Sequence, residues 1–179
     1  MKTLTLLRHA KSGMGDAGLR DFDRPLNAKG ARAAEAVGRY LRSERIGFDR
    51  VIASPAVRVT ETLDHVARGY GETLAPHWDR RLYLASATAL LEAVHELSGD
   101  VERVLLVGHN PGLEGFVLAL VPDKAAGLRD AVEIKFPTAS LAEMRFAGES
   151  WDAVRHGTAE LIRFVRPRDL DPSLGPDVD

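Results

Sequence analysis

Lys2-Thr3-Leu4-Thr5-Leu6-Leu7-Arg8-His9-Ala10-Lys11-Ser12 opens the chain and decides how the rest is read. Thr3 to Leu7 is apolar and β-prone, which predicts a buried strand. The run stops at Arg8 and His9, and Ala10 to Pro25 follows as a loop rich in Gly, Asp and Ser. A buried strand that ends in Arg-His puts a cation and an imidazole at its carboxyl end. Open α/β sheets bind their ligands at that end.

The same pattern recurs downstream. Asn27 is a good N-cap for a helix running to about Arg45, with Ala31, Ala34, Val37, Gly38 and Leu41 on one face. Asp49 to Ala53 predicts a second strand. Ser54-Pro55 reads as an N-cap and a first-turn proline, opening a helix to about Arg68 with Leu63, Val66 and Ala67 inward. A short strand at Thr73 to His77 and a helix from Ser86 to Leu97 come next. Arg103 to Val107 is a strongly apolar fourth strand, followed by the turn Gly108-His109-Asn110-Pro111-Gly112 and a short helix, Leu113 to Leu120. Ser140 to Phe146 and Trp151 to Arg155 predict two antiparallel strands joined by a turn at Gly148. Ala159 to Val165 is a further strand or helix. Strands alternating with helices predict an α/β fold, a three-layer α/β/α sandwich with a mostly parallel central sheet and an antiparallel edge.

At 179 residues the chain fits one domain, placed at residues 1–165, with a Pro- and Asp-rich tail at 166–179 expected to be mobile. Its composition, 45% hydrophobic and 28% charged, is that of a globular protein with a substantial core. Twenty-four basic and 26 acidic residues leave a formal charge of −2, which gives no general attraction to nucleic acid or to an anionic membrane. The absence of cysteine removes disulfides, thiolate zinc sites and a thiolate nucleophile. The apolar run at the N-terminus is too short for a signal peptide core or a membrane span, so a cytoplasmic location is expected.

Three polar motifs fall at strand ends: Arg8-His9, Ser54 to Arg58, and Gly108-His109. Two histidines, two arginines and a helix N-terminus make a strongly positive cluster, and phosphate is the ligand that suits it. A neutral imidazole can attack phosphorus, while the arginines and the second histidine stabilise the equatorial oxygens. His65, His77, His95 and His156 have no such context and read as structural or solvated. Ser54 reads as a helix cap, and Asn110-Pro111-Gly112 as the turn that starts the next helix. No third histidine or carboxylate sits at ligand spacing, so neither metal nor cofactor is expected.

These motifs resemble the histidine phosphatase superfamily, and Arg8-His9-Ala10-Lys11-Ser12, Asp23-Arg24-Pro25-Leu26-Asn27 and Arg81-Leu82-Tyr83 resemble its SixA-like phosphohistidine phosphatase branch. The resemblance implies a phosphoglycerate mutase-like fold and a metal-independent phosphatase. It makes His9 the nucleophile, Arg8 and Arg58 the phosphoryl clamp, His109 a hydrogen-bond donor to the phosphoryl oxygens, and Arg24 a further contact to substrate. Two departures stand out. Ala10 replaces the common Gly, and the stretch Asp79-Arg80-Arg81-Leu82-Tyr83-Leu84 lacks the glutamate that many members use as general acid. A leaving group that departs easily, such as the imidazole of phosphohistidine, tolerates that loss. The expected substrate is therefore a phosphorylated protein of phosphocarrier or histidine phosphotransfer type. The alternatives are a small phosphorylated metabolite or a non-catalytic phosphate-binding role.

Overall fold

The computed structural model describes residues 1–13, 18–125 and 127–175. Residues 14–17 of the expected Ala10–Pro25 loop and 176–179 of the expected tail lie outside the described residues. Six strands form one sheet: β1 (Lys2–Arg8), β2 (Arg50–Ala53), β3 (Pro76–Trp78), β4 (Arg103–Gly108), β5 (Leu141–Phe146) and β6 (Ala159–Val165). Their order is β3-β2-β4-β1-β5-β6. The first four are parallel neighbours, and β5 runs antiparallel to both β1 and β6.

The period-2 alternation of the strands divides the core into two layers. Leu4 and Leu6 of β1, Ile52 of β2, and Val104 and Leu106 of β4 face one cluster. This cluster is roofed by α3 (Ala87–His95), α4 (Gly112–Leu120) and α5 (Leu128–Ile134). Leu7, Val51, Ala53, Leu105 and Val107 face the other, under α1 (Ala28–Ser43) and α2 (Val57–Tyr70). The expected α/β/α sandwich is thus the observed one. Asn27 caps α1 as expected, its side chain accepting from Gly30 N at 2.8 Å. Gly30 lets α1 lie against the chain leaving β1, since a Cβ there would stand 2.1 Å from the Lys11 carbonyl oxygen.

The C-terminal third departs from expectation. Trp151 to Arg155 is no strand: Trp151–Ala153 is a single 3₁₀ turn. It buries the indole, whose N–H donates to Val101 O at 2.7 Å, so burial of one large ring overrides strand propensity. The antiparallel partner of β5 is instead β6. Helix α5 was not anticipated. It is too short to show periodicity, and it is held by the buried Arg129, which donates to Val121 O and Leu118 O. The tail expected to be mobile is folded through Gly175. Pro167–Leu170 forms α6 against α1, Leu174 is buried, and Lys29 Nζ donates to Gly175 O at 2.7 Å. Among the described residues no helix is long and apolar enough to cross a membrane.

Candidate active site

His9 stands just past the carboxyl end of β1, and its backbone is tied down on both sides. Its N–H donates to Gly108 O of β4 at 3.1 Å, and its carbonyl accepts from Ala139 N at 3.0 Å. The next residue, Ala10, donates its N–H to Thr62 Oγ1 of α2 at 2.9 Å. The imidazole is buried, 7% exposed. Its Nδ1 lies 2.7 Å from Ala10 O, a group that only accepts, so Nδ1 carries the proton and Nε2 keeps a free lone pair.

The expected convergence on this ring is present. His109, after β4, lies with its ring centroid 5.3 Å from that of His9. Arg58, in the first turn of α2, places Nη2 3.3 Å from His109 Nδ1. A guanidinium has no acceptor, so Nδ1 accepts and the His109 proton sits on Nε2, donated to Ser54 Oγ at 2.8 Å. This corrects the reading of Ser54 as a helix cap: the N-cap of α2 is Ala56, and the Ser54 hydroxyl anchors His109. Arg8 donates to Phe136 O at 2.9 Å from the other side. Among the described residues, the buried Nε atoms of Arg8 and Arg58 and the buried Ser140 Oγ have no partner. Buried donors left unpaired are costly, and two of these belong to the arginines whose charge is felt at His9.

Two residues at the site carried no assigned role in the sequence. Asp21 accepts from Arg58 Nη2 at 3.0 Å, and its backbone carbonyl accepts from Arg58 Nη1 at 2.7 Å. The Tyr83 hydroxyl donates to the same Asp21 carboxylate at 2.5 Å, and its ring packs edge-on against His109. Arg24 pairs with Asp21 at 3.1 Å and donates to Gly13 O, so it joins the cluster through Asp21 rather than by touching a histidine. Asp79 faces elsewhere: it caps the turn Arg80–Leu82 and pairs with Arg81 at 2.8 Å. Glu61 accepts from Leu26 N at 3.0 Å. Among the described residues, no three His, Asp or Glu side chains group where they could hold a metal ion.

The cluster fixes protonation states. Burial pushes the His9 pKa down to about 3, with the charges of Arg8 and Arg58 and the His109 ring adding to it against the hydrogen bond to Ala10. Burial and then Arg58 bring His109 down to about 4. Asp21 is held at about 2, chiefly by the Tyr83 hydroxyl and then by Arg58. Ring ¹⁵N NMR between about pH 5 and 8 should therefore show His9 neutral with Nδ1 protonated. A midpoint near the ordinary 6.5 would contradict this. Both folded values lie below the unfolded one, so the unfolded chain binds protons first as pH falls. The stability these rings contribute is full above 6.5 and drops as pH falls toward 4 and 3, which a thermal melt series would register.

The comparisons with known proteins point to one family. Residues 4–83 match the model of the histidine phosphatase superfamily, branch 1. An uncharacterized protein of Mycobacterium tuberculosis is 35% identical over 164 residues, 90% of this chain and the whole of the relative. Two solved structures that bear the phosphohistidine phosphatase SixA designation superpose over 93% of this chain. The one from Nakamurella multipartitia has a TM-score of 0.80 at 30% identity over 96% of its own length. The one from Agrobacterium tumefaciens has a TM-score of 0.79 at 29% identity over 98% of its length. The chain belongs to the histidine phosphatase superfamily and is a phosphatase. Within the superfamily it falls in the SixA-like branch.

Proposed function

We propose that the chain removes the phosphoryl group from phosphohistidine on a protein of phosphocarrier or phosphotransfer type, through a phosphohistidine intermediate on His9 and without a metal ion. One pairing carries this reading: a buried, neutral His9 with a free Nε2, in a cluster whose carboxylate, Asp21, is bound to Arg58 and held ionised. The first group attacks phosphorus. The second cannot give a leaving group a proton at neutral pH. The designation of the two SixA neighbours supports the same substrate class.

In the first transfer Nε2 forms a bond to phosphorus in line with the P–N bond that breaks, and the substrate ring, protonated on its other nitrogen, departs as neutral imidazole. In the second, water attacks the phosphoryl-His9, its protons stay with the phosphate released, and Nε2 leaves with its lone pair restored. Arg8 and Arg58 spread the charge of the three equatorial oxygens. His109 is an acceptor toward Arg58 in the free site. A bound dianion favours its protonated form, which turns the ring into a donor.

The test compares a phosphohistidine peptide with a simple alkyl phosphate. An alkoxide needs general acid help worth about 10²- to 10⁴-fold, so kcat/KM should favour the phosphohistidine peptide by at least about 100-fold. EDTA should leave that rate unchanged. Equal efficiency on the two substrates would move the reading to a phosphomonoesterase of small metabolites.

A further inference from the structure

Beside the His9 cluster lies a cavity of about 330 Å³, walled by the amino end of α1, residues 135–138 and the folded-back tail. Arg8, Lys11, Lys29, Lys135, Arg166 and Arg168 line it, and among the described residues no acidic one does. In a chain whose formal charge is −2, the charged residues of the described lining are all cationic. Its floor is apolar, from Ala33, Pro137 and Leu174. Arg8 belongs to both places: it lines this cavity, and its charge is felt at His9 and His109. Arg8 thus joins the groove to the His9 cluster.

The tail builds much of this wall. Lys29 Nζ is tied to Gly175 O, and Arg166 is held by Asp169 at 2.9 Å, which spends part of its charge. Lys135 and Arg168 are exposed at the rim. Next to Lys135, Ile134 is 84% exposed, the most exposed large apolar side chain among the described residues. A second phosphate on a small molecule would use a few of these cations and neither the apolar floor nor Ile134. A peptide with acidic and apolar side chains would use all three.

We propose that this groove docks an acidic segment flanking the phosphorylated residue of the substrate protein, a reading that rests on the phosphoprotein substrate proposed above. Docking there raises the local concentration of the phosphoryl group at His9 and selects among carriers by their flanking charge.

The test uses a short fluorescent peptide of alternating glutamate and alanine, its glutamine counterpart, and the full chain with and without the double reversal Lys135→Glu/Arg168→Glu. Hydrolysis of free phosphohistidine is measured in parallel. The acidic peptide should bind the unaltered chain, more weakly as salt rises, and the double reversal should weaken it about tenfold or more. Hydrolysis of free phosphohistidine should stay within about twofold, because neither charge is among those felt at His9. Acidic-peptide affinity unaltered by the reversal, or equal affinity for the glutamine peptide, overturns the proposal. Should circular dichroism show the double variant misfolded, Lys135→Glu alone carries the test, with a loss of about threefold expected. The two readings fail separately. Groove-dependent peptide binding without hydrolysis of phosphohistidine removes the substrate assignment and keeps the groove as an acidic-peptide site.

Discussion

His9→Ala is expected to abolish turnover and the phosphoenzyme together. The ring is held so that one nitrogen does one thing: Nδ1–H is spent on Ala10 O at 2.7 Å, which leaves Nε2 as the free lone pair at the centre of the cationic cluster. No other described side chain at the site offers a comparable nucleophile. His109 has both nitrogens engaged, by Arg58 and Ser54, and Asp21 is a weakly basic carboxylate held by Tyr83 and Arg58. Removing a covalent nucleophile costs about 10⁴-fold or more in kcat. The fold should survive, because the backbone bonds of His9 to Gly108 and Ala139 do not depend on its side chain. Leaving the Ala10 carbonyl short of one partner costs about 1 kcal/mol. Acid-labile ³²P on the unaltered chain after a brief exposure to labelled phosphohistidine protein, and none on His9→Ala, is the expected pair of observations. Calorimetry should still show inorganic phosphate binding to the variant through Arg8 and Arg58. A variant that kept more than about a hundredth of the rate would remove His9 from the chemistry.

How much of this was legible beforehand depended on how far apart the partners lie in sequence. Arg8, His9, Arg58 and His109 each follow a buried strand or open the helix after one, so local pattern and the rule for sheet ends were enough to bring them to one edge. The two core layers were legible for the same reason, since Leu4 and Leu6 alternate with Thr5 and Leu7 along β1. Asp21 and Tyr83 were not. Asp21 precedes Arg58 by 37 residues and Tyr83 by 62, and no local rule joins a loop carboxylate to either. The cluster Asp21-Phe22-Asp23-Arg24 signalled a charged loop without saying which carboxylate turned inward. Ser54 was misread because a serine before proline has a strong local role as a cap. Here the tertiary demand of His109 for an acceptor prevails over it. The expected strand at Trp151 failed for a related reason, since a ring that large goes where the core can cover it.

Asp21 also explains why the missing glutamate is not simply replaced. A carboxylate is present whose charge is felt at His109, yet Tyr83, Arg58 and Arg24 all stabilise that charge, so it is held as an anion and is poorly suited to act as an acid. On the proposed reading the site holds the phosphoryl group and leaves the departing group to look after itself. This fits a carrier imidazole better than an alkoxide.

Arg58→Ala is therefore expected to cost more than the loss of one phosphate contact. The Arg58 side chain is 3% exposed. It binds both the carbonyl and the carboxylate of Asp21 and also reaches His109 Nδ1, so one guanidinium sets the orientation of the loop and of the second histidine. Without it, a carboxylate still held by Tyr83 and Arg24 remains beside the phosphoryl site with less positive charge to offset it. The incoming dianion then meets repulsion where it met a clamp. Loss of a preorganised donor costs about 10²- to 10³-fold, and the unmasked Asp21 adds to this, so kcat/KM on the phosphohistidine peptide should fall by about 10³-fold or more. Arg58→Lys should recover little, because an ammonium cannot span Asp21, His109 and a phosphoryl oxygen from one planar fork. Asp21→Asn separates the two contributions. It keeps the guanidinium and its bond to the residue-21 carbonyl, weakens only the carboxylate anchor, and should cost about tenfold. If Arg58→Ala fell by less than about tenfold, or if Lys restored the rate, Arg58 would be a structural bridge to the Asp21 loop, and the clamp would rest on Arg8 alone.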